Sequence, residues 1–199
     1  MICFGCPRHC GAERTENTPS SGFCKMPYNA VLARAALHQW EEPPISGKNG
    51  SGAIFFSGCS LRCVFCQNEE ISHGGVGKPV SRERFIEIMQ ELESQGAHNI
   101  NLVNPTHFTA FLVDVLSTYK PSVPVVYNAG GYDSVESLKA LEGLIDIYLP
   151  DFKYASPAAA KKYAAAPDYP ERAKAAILEM RRQTKDRFSD DGLMLEGLI

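Results

Sequence analysis

From residue 52 onward the chain alternates short apolar runs with amphipathic ones, and this alternation limits the folds open to it. Strand candidates are residues 53–57, 99–104, 124–128 and 144–149. A helix is expected from Ser81 as N-cap, carrying Phe85, Ile86, Ile88, Met89 and Leu92. A second carries Phe108, Phe111, Leu112, Val115, Leu116 and Tyr119 at near-helical period. A short helix over 134–141 and two Ala-rich ones, about 156–166 and 170–184, follow. Strands apolar on both faces and separated by helices predict an α/β chain with a parallel sheet. Doubly wound and barrel arrangements both fit, and in either one ligands gather at the C-terminal ends of strands. A cysteine loop, Asn104-Pro105-Thr106, Asn128 and Asp151-Phe152-Lys153 all fall at such ends.

The seven cysteines form two clusters. Cys59-x3-Cys63-x2-Cys66 follows the first strand candidate, with Phe65 before the third cysteine. Three thiolates on one short loop can hold three irons of a [4Fe–4S] cube and leave the fourth open to a small molecule. A zinc site would need a fourth ligand, which His73 could supply. The other cluster, Cys3-x2-Cys6-x3-Cys10-x13-Cys24, lies in a loop-rich segment with few aliphatics. Such a segment can fold around a metal, and its spacing admits four-thiolate zinc, rubredoxin-like iron or a second iron–sulfur cluster. An odd count of seven fits four plus three ligands better than a set of disulfides.

The remaining bounds are broad. The chain has 199 residues, 44% hydrophobic and 22% charged, with a formal net charge of −3, which gives no sign of a nucleic-acid or anionic-membrane partner. No apolar stretch approaches the roughly 18 residues of a membrane span, and the N-terminus lacks the apolar core of a signal peptide. A reducing cytoplasmic setting is therefore expected, where clustered cysteines are metal ligands rather than disulfides. Two units are expected: residues 1–46, a Cys-rich metal-binding module with the turn-rich linker Glu42–Gly47, and residues 47–199, the core. Residues 30–40 are extended or helical; periodicity does not decide.

The triad and its context resemble the radical S-adenosylmethionine superfamily. The segments 58–68, 98–108, 126–132 and 146–154 are similar to homologues of the pyruvate formate-lyase activating enzyme, in a branch with an added N-terminal Cys-rich segment. The resemblance implies a partial (βα) TIM-type barrel with parallel strands, preceded by the small Cys-rich module. It also implies a [4Fe–4S] cluster on Cys59, Cys63 and Cys66, with S-adenosylmethionine bound at the open iron. Reductive cleavage would give a 5′-deoxyadenosyl radical that abstracts hydrogen from a substrate, as in a glycyl-radical-enzyme activase. An electron donor of flavodoxin or ferredoxin type is the implied partner, and the substrate is a protein or, equally, a small molecule.

By the same resemblance, Asp151 and Lys153 match an Asp-x-Lys pair that contacts the cosubstrate. Asp can bond an ammonium or a ribose hydroxyl, and Lys can neutralise a carboxylate. Asn104-Pro105-Thr106 stands where the superfamily has Gly-Gly-Glu, so Asn104 and Thr106 become the candidates for the amino-group contact. Phe65 and Asn128 complete the cofactor-binding candidates, and His107, His98 and His38 are weaker ones. Only four strands are visible, and the chain ends in the apolar Gly192–Ile199, so a C-terminally cut chain is expected. The alternatives are a catalytically incompetent metal-binding fragment of such an enzyme and a zinc-ribbon interaction module.

Overall fold

The computed structural model describes residues 1–199. In chain order the strands are β1 (Val31–His38), β2 (Ser51–Phe56), β3 (Lys78–Pro79), β4 (Ile100–Val103), β5 (Val125–Ala129), β6 (Ile147–Pro150), β7 (Arg187–Phe188) and β8 (Met194–Leu198). The helices are α1 (Pro43–Ser46), α2 (Glu69–Ser72), α3 (Arg82–Ser94), α4 (Thr109–Leu116), α5 (Val135–Ala140), α6 (Pro157–Ala164) and α7 (Tyr169–Gln183). The sheet order is β3-β1-β2-β4-β5-β6-β8-β7. The run β2-β4-β5-β6-β8 is parallel throughout, whereas β1, β3 and β7 pair antiparallel. No helix is long and apolar enough to cross a membrane.

Strand alternation assigns the two faces of this sheet. Ile54, Phe56, Ile100, Leu102, Val125, Tyr127 and Tyr148 pack against Phe85, Met89, Phe111, Leu112, Leu138 and Met180 of α3, α4, α5 and α7 in the main core. The other face holds a smaller cluster of Ile45, Val126, Ile147 and Met194. The main helices therefore cover one face, and the parallel strands lie side by side in chain order. That is the single winding of a barrel rather than the two-faced cover of a doubly wound sheet. The sheet is open, with β3 and β7 at its edges.

The expected helices form, with Ser81, Ser134 and Ser156 each accepting a main-chain N–H as N-caps. Four parallel strands were legible; the structure adds a fifth, β8, within the apolar end, and so corrects that count. Residues 31–38 resolve to strand because six of them find partners on β2, from Leu32↔Phe56 to His38↔Ser51. Pairing decides where an Ala-rich, weakly periodic sequence does not. The sheet thus extends into the segment that the sequence reading grouped with the Cys-rich module. The linker contains a turn of helix, α1, whose buried Ile45 lies against Val126 and Ile147.

Candidate active site

Parallel strands all present their C-terminal ends on one edge, and there the chain encloses a cavity of about 390 Å³. It is lined by Cys59, Cys63 and Cys66, by Phe65, and by Asn104, Asn128, Asp151 and Lys153 from the ends of β4, β5 and β6. Every sequence-predicted residue of the core site except Thr106 lines it. The floor is set by register: Phe55, Val103, Asn128 and Leu149 face one another across four strands, and the first three line the cavity.

The cysteine loop is held from several sides. Gly58 starts it at φ +77°, where a Cβ would stand 2.6 Å from Met26 Cγ. Its N–H donates to Ile71 O at 3.0 Å, and the Val64 N–H donates to Tyr163 O at 3.0 Å. Arg62, at φ +53°, donates to His73 O at 2.8 Å. Asn104, at φ +61°, donates from Nδ2 to Gly58 O at 2.8 Å and accepts the Cys59 thiol at 3.7 Å. Two non-glycine residues in the left-handed region, both at the site, are strain of the kind found where a backbone is fixed for function.

The sulfurs have donors aimed at them. The Leu61 N–H donates to Cys59 Sγ at 3.3 Å, and the Ser72 hydroxyl to Cys66 Sγ at 3.3 Å. Burial pushes the Cys59 and Cys63 thiols up, while the Tyr154 hydroxyl and the Lys153 ammonium beside Cys63 oppose the shift. Phe65 sits at the rim with its ring 5.9 Å from that of Tyr154 and 6.4 Å from that of Tyr163. As placed, no three Cys, His, Asp or Glu side chains converge on one ion. The three cysteines line the one cavity. His73, the fourth ligand a zinc site would need, does not line the cavity. Its Nδ1 lies 3.0 Å from the Ser72 hydroxyl.

At the end of β6, Lys153 and Asp151 form an ion pair with both side chains partly in solvent. Behind it stands Tyr169, fully buried at the start of α7. Its hydroxyl accepts the Lys153 N–H at 2.7 Å and donates to Gly130 O at 2.8 Å. Asn128 contributes its carbonyl to the Asn104 N–H at 2.7 Å, and its side chain lines the cavity.

Thr106 needs correction. A 3-10 turn over Thr106–Phe108 buries it at 2% exposure, beside Asp133 and away from the cavity. His107 is also buried; its Nε2–H donates to Ser57 O at 2.7 Å, and burial drives its pKa down to about 3. It supports the loop from behind. His98 accepts the Asn49 N–H at 3.1 Å, and neither it nor His38 lines the cavity. Sequence reasoning missed Ser72, Tyr154 and Tyr169. Their hydroxyls act across the fold, and no local pattern marks them.

A family model described as Radical SAM superfamily matches residues 53–198. An uncharacterized protein of Methanocaldococcus jannaschii is 31% identical over 161 residues, covering 76% of this chain and 45% of the relative. The chain thus spans about half the length of that curated relative.

Proposed function

Because the chain belongs to the Radical SAM superfamily, we propose that it is an enzyme that cleaves S-adenosylmethionine reductively at a [4Fe–4S] cluster held by Cys59, Cys63 and Cys66. One observation carries this reading: the three sulfurs and the Asp151–Lys153 pair line the same cavity at the strand ends. The donor set fits the cluster in number and in softness, three thiols lining one cavity. Cys59, Cys63 and Cys66 would hold the cluster, which would supply the electron for reductive cleavage of the cosubstrate's sulfonium.

The chain's own residues bind, orient and shield. The Leu61 N–H and the Ser72 hydroxyl stabilise negative charge on Cys59 and Cys66. Lys153 takes the methionyl carboxylate, and Asp151 takes the ammonium or a ribose hydroxyl. Their mutual ion pair does not prevent this, since a solvent-exposed pair contributes only about 0–1 kcal/mol and opens at little cost. Asn128 offers a carboxamide on the cavity wall. Phe65, Phe55 and Val103 supply apolar wall that excludes water from a radical.

The resemblance to the activating enzymes favours a glycyl-radical protein presented to the cavity mouth, with a small-molecule substrate as the alternative reading and a flavodoxin- or ferredoxin-type protein as the electron donor. Seven free thiols and an oxygen-sensitive centre suit a reducing cytoplasm. The test is anaerobic reconstitution with iron and sulfide, then reduction with dithionite in the presence of S-adenosylmethionine. Release of 5′-deoxyadenosine that is lost in Cys63→Ala supports the reading. A fully reconstituted protein that releases none contradicts it.

A further inference from the structure

Residues 1–28 carry four of the cysteines and almost no regular structure beyond an isolated bridge between Ile2 and Glu13. Yet Cys3, Cys6 and Cys24 are only 6%, 8% and 6% exposed. Cys24 packs into the main core beside Met26, but Cys3 and Cys6 lie outside all three apolar clusters, so apolar packing does not account for their burial. Arg14, itself buried, donates from Nη2 to Cys24 Sγ at 3.0 Å. That contact leaves Cys24 Sγ facing a fixed cation in the protein interior. His9 and Lys25, one in each half of the set, hold left-handed φ of +43° and +59°.

Two arginines join the segment to the active-site loop. Arg8 spends its whole fork on carbonyls: Nε to Ser60 O at 2.8 Å, Nη1 to Ala165 O at 2.5 Å and Nη2 to Ala164 O at 2.7 Å. Ser60 lies inside the cluster loop, and Ala164 and Ala165 end α6. The Arg8 guanidinium is stacked 3.9 Å from the centre of the Phe23 ring, next to Cys24 in sequence. Arg14 donates to His107 O at 2.5 Å, and His107 in turn donates to Ser57 O where the loop begins.

We propose that Cys3, Cys6, Cys10 and Cys24 close on a thiolate-bound metal centre, and that Arg8 carries this closure to the Cys59–Cys66 loop as a positioning residue. Cys10, the exposed member, completes the set by turning inward; its Sγ already lies against Gly22, where a Cβ would stand 3.1 Å from it. Arg8 then fixes the Ser60 carbonyl, so the loop's geometry depends on the N-terminal centre. The Arg8 half rests on the cluster reading above; the metal half does not.

The test uses the full chain. A Cys59→Ala/Cys63→Ala/Cys66→Ala variant, purified anaerobically, is assayed for zinc, iron and sulfide per chain. About one equivalent of a metal centre is expected to remain and to be lost on adding Cys6→Ser and Cys24→Ser. Zinc alone would make it a closed single-ion site, and iron with sulfide a second cluster. A triple variant with neither metal overturns the proposal. Arg8→Lys, checked for folding by circular dichroism, keeps the charge but loses the fork. It is expected to retain the N-terminal metal, to shift the reduced cluster's paramagnetic spectrum and to speed tryptic cleavage after Arg62. A spectrum and a cleavage rate equal to the wild type's overturn the positioning role. The cleavage assay decides that role even in protein that holds no cluster.

Discussion

The Tyr169 hydroxyl accepts the main-chain N–H of Lys153 at 2.7 Å, tying the first turn of α7 to a cavity-lining residue three positions past β6. The same hydroxyl donates to Gly130 O, so one buried atom fixes the backbone of two site segments. Tyr169→Phe leaves that N–H and that carbonyl without a partner at almost unchanged volume. A loss of roughly 0.5–1.5 kcal/mol in unfolding free energy is expected from these half-buried bonds. Denaturant titration checks it, and weaker S-adenosylmethionine binding should accompany the loss.

The Asp151–Lys153 pair is predicted to act on binding rather than on stability. Its side chains are 56% and 33% exposed, so breaking it changes folding little. Asp151→Asn and Lys153→Met should each weaken S-adenosylmethionine by roughly 10- to 100-fold, the scale of a lost charged hydrogen bond. Equilibrium dialysis of the reconstituted protein reads the effect. Unchanged affinity in both variants would remove the pair from the site.

Gly131 stands at φ +75°, and a Cβ there would meet Asp151 O at 2.3 Å. That contact is with backbone, so nothing flexible yields. Gly131→Ala is expected to push the end of β6 outward and to lower both the melting temperature and cosubstrate affinity. Gly143→Ala is a control with a similar φ of +78° but open space. It should cost only the backbone strain of a left-handed alanine, about 1–2 kcal/mol.

His107 makes stability depend on pH. Burial lowers its pKa to about 3 from an ordinary 6.5, so the unfolded chain binds the proton more readily. The stability tied to its neutral form is full above pH 6.5 and falls as pH drops from there towards 3. The slope is about 1.4 kcal/mol per pH unit within that window. His107→Gln can keep the donor to Ser57 O while removing the titration. Urea midpoints of the apo protein at pH 7.5 and pH 5 should diverge for wild type more than for the variant. Parallel midpoints would show that His107 titrates normally.

Much of the fold was legible because its signals are local. Ser81 and Ser134 cap the helices they precede, and the apolar period of 108–119 marks α4. Asn104, Asn128 and Asp151 stand where strands end, so their meeting at one cavity follows from a parallel sheet. Thr106 was misjudged because the 3-10 turn after Pro105 rotates it towards Asp133. β1 was undecided because its pairing partner is what makes it a strand. Tyr169 reaches its acceptor Gly130 across 39 residues of sequence, a contact that no local pattern encodes.

The central claim is that Cys59, Cys63 and Cys66 hold a cluster with one iron open to S-adenosylmethionine. The most direct measurement is the electron paramagnetic resonance spectrum of the reconstituted, reduced protein with and without S-adenosylmethionine. A [4Fe–4S]⁺ signal that changes shape on adding the cosubstrate, and is absent in Cys59→Ala, Cys63→Ala and Cys66→Ala, is the predicted result. No such signal, with zinc bound at the triad instead, would contradict the account.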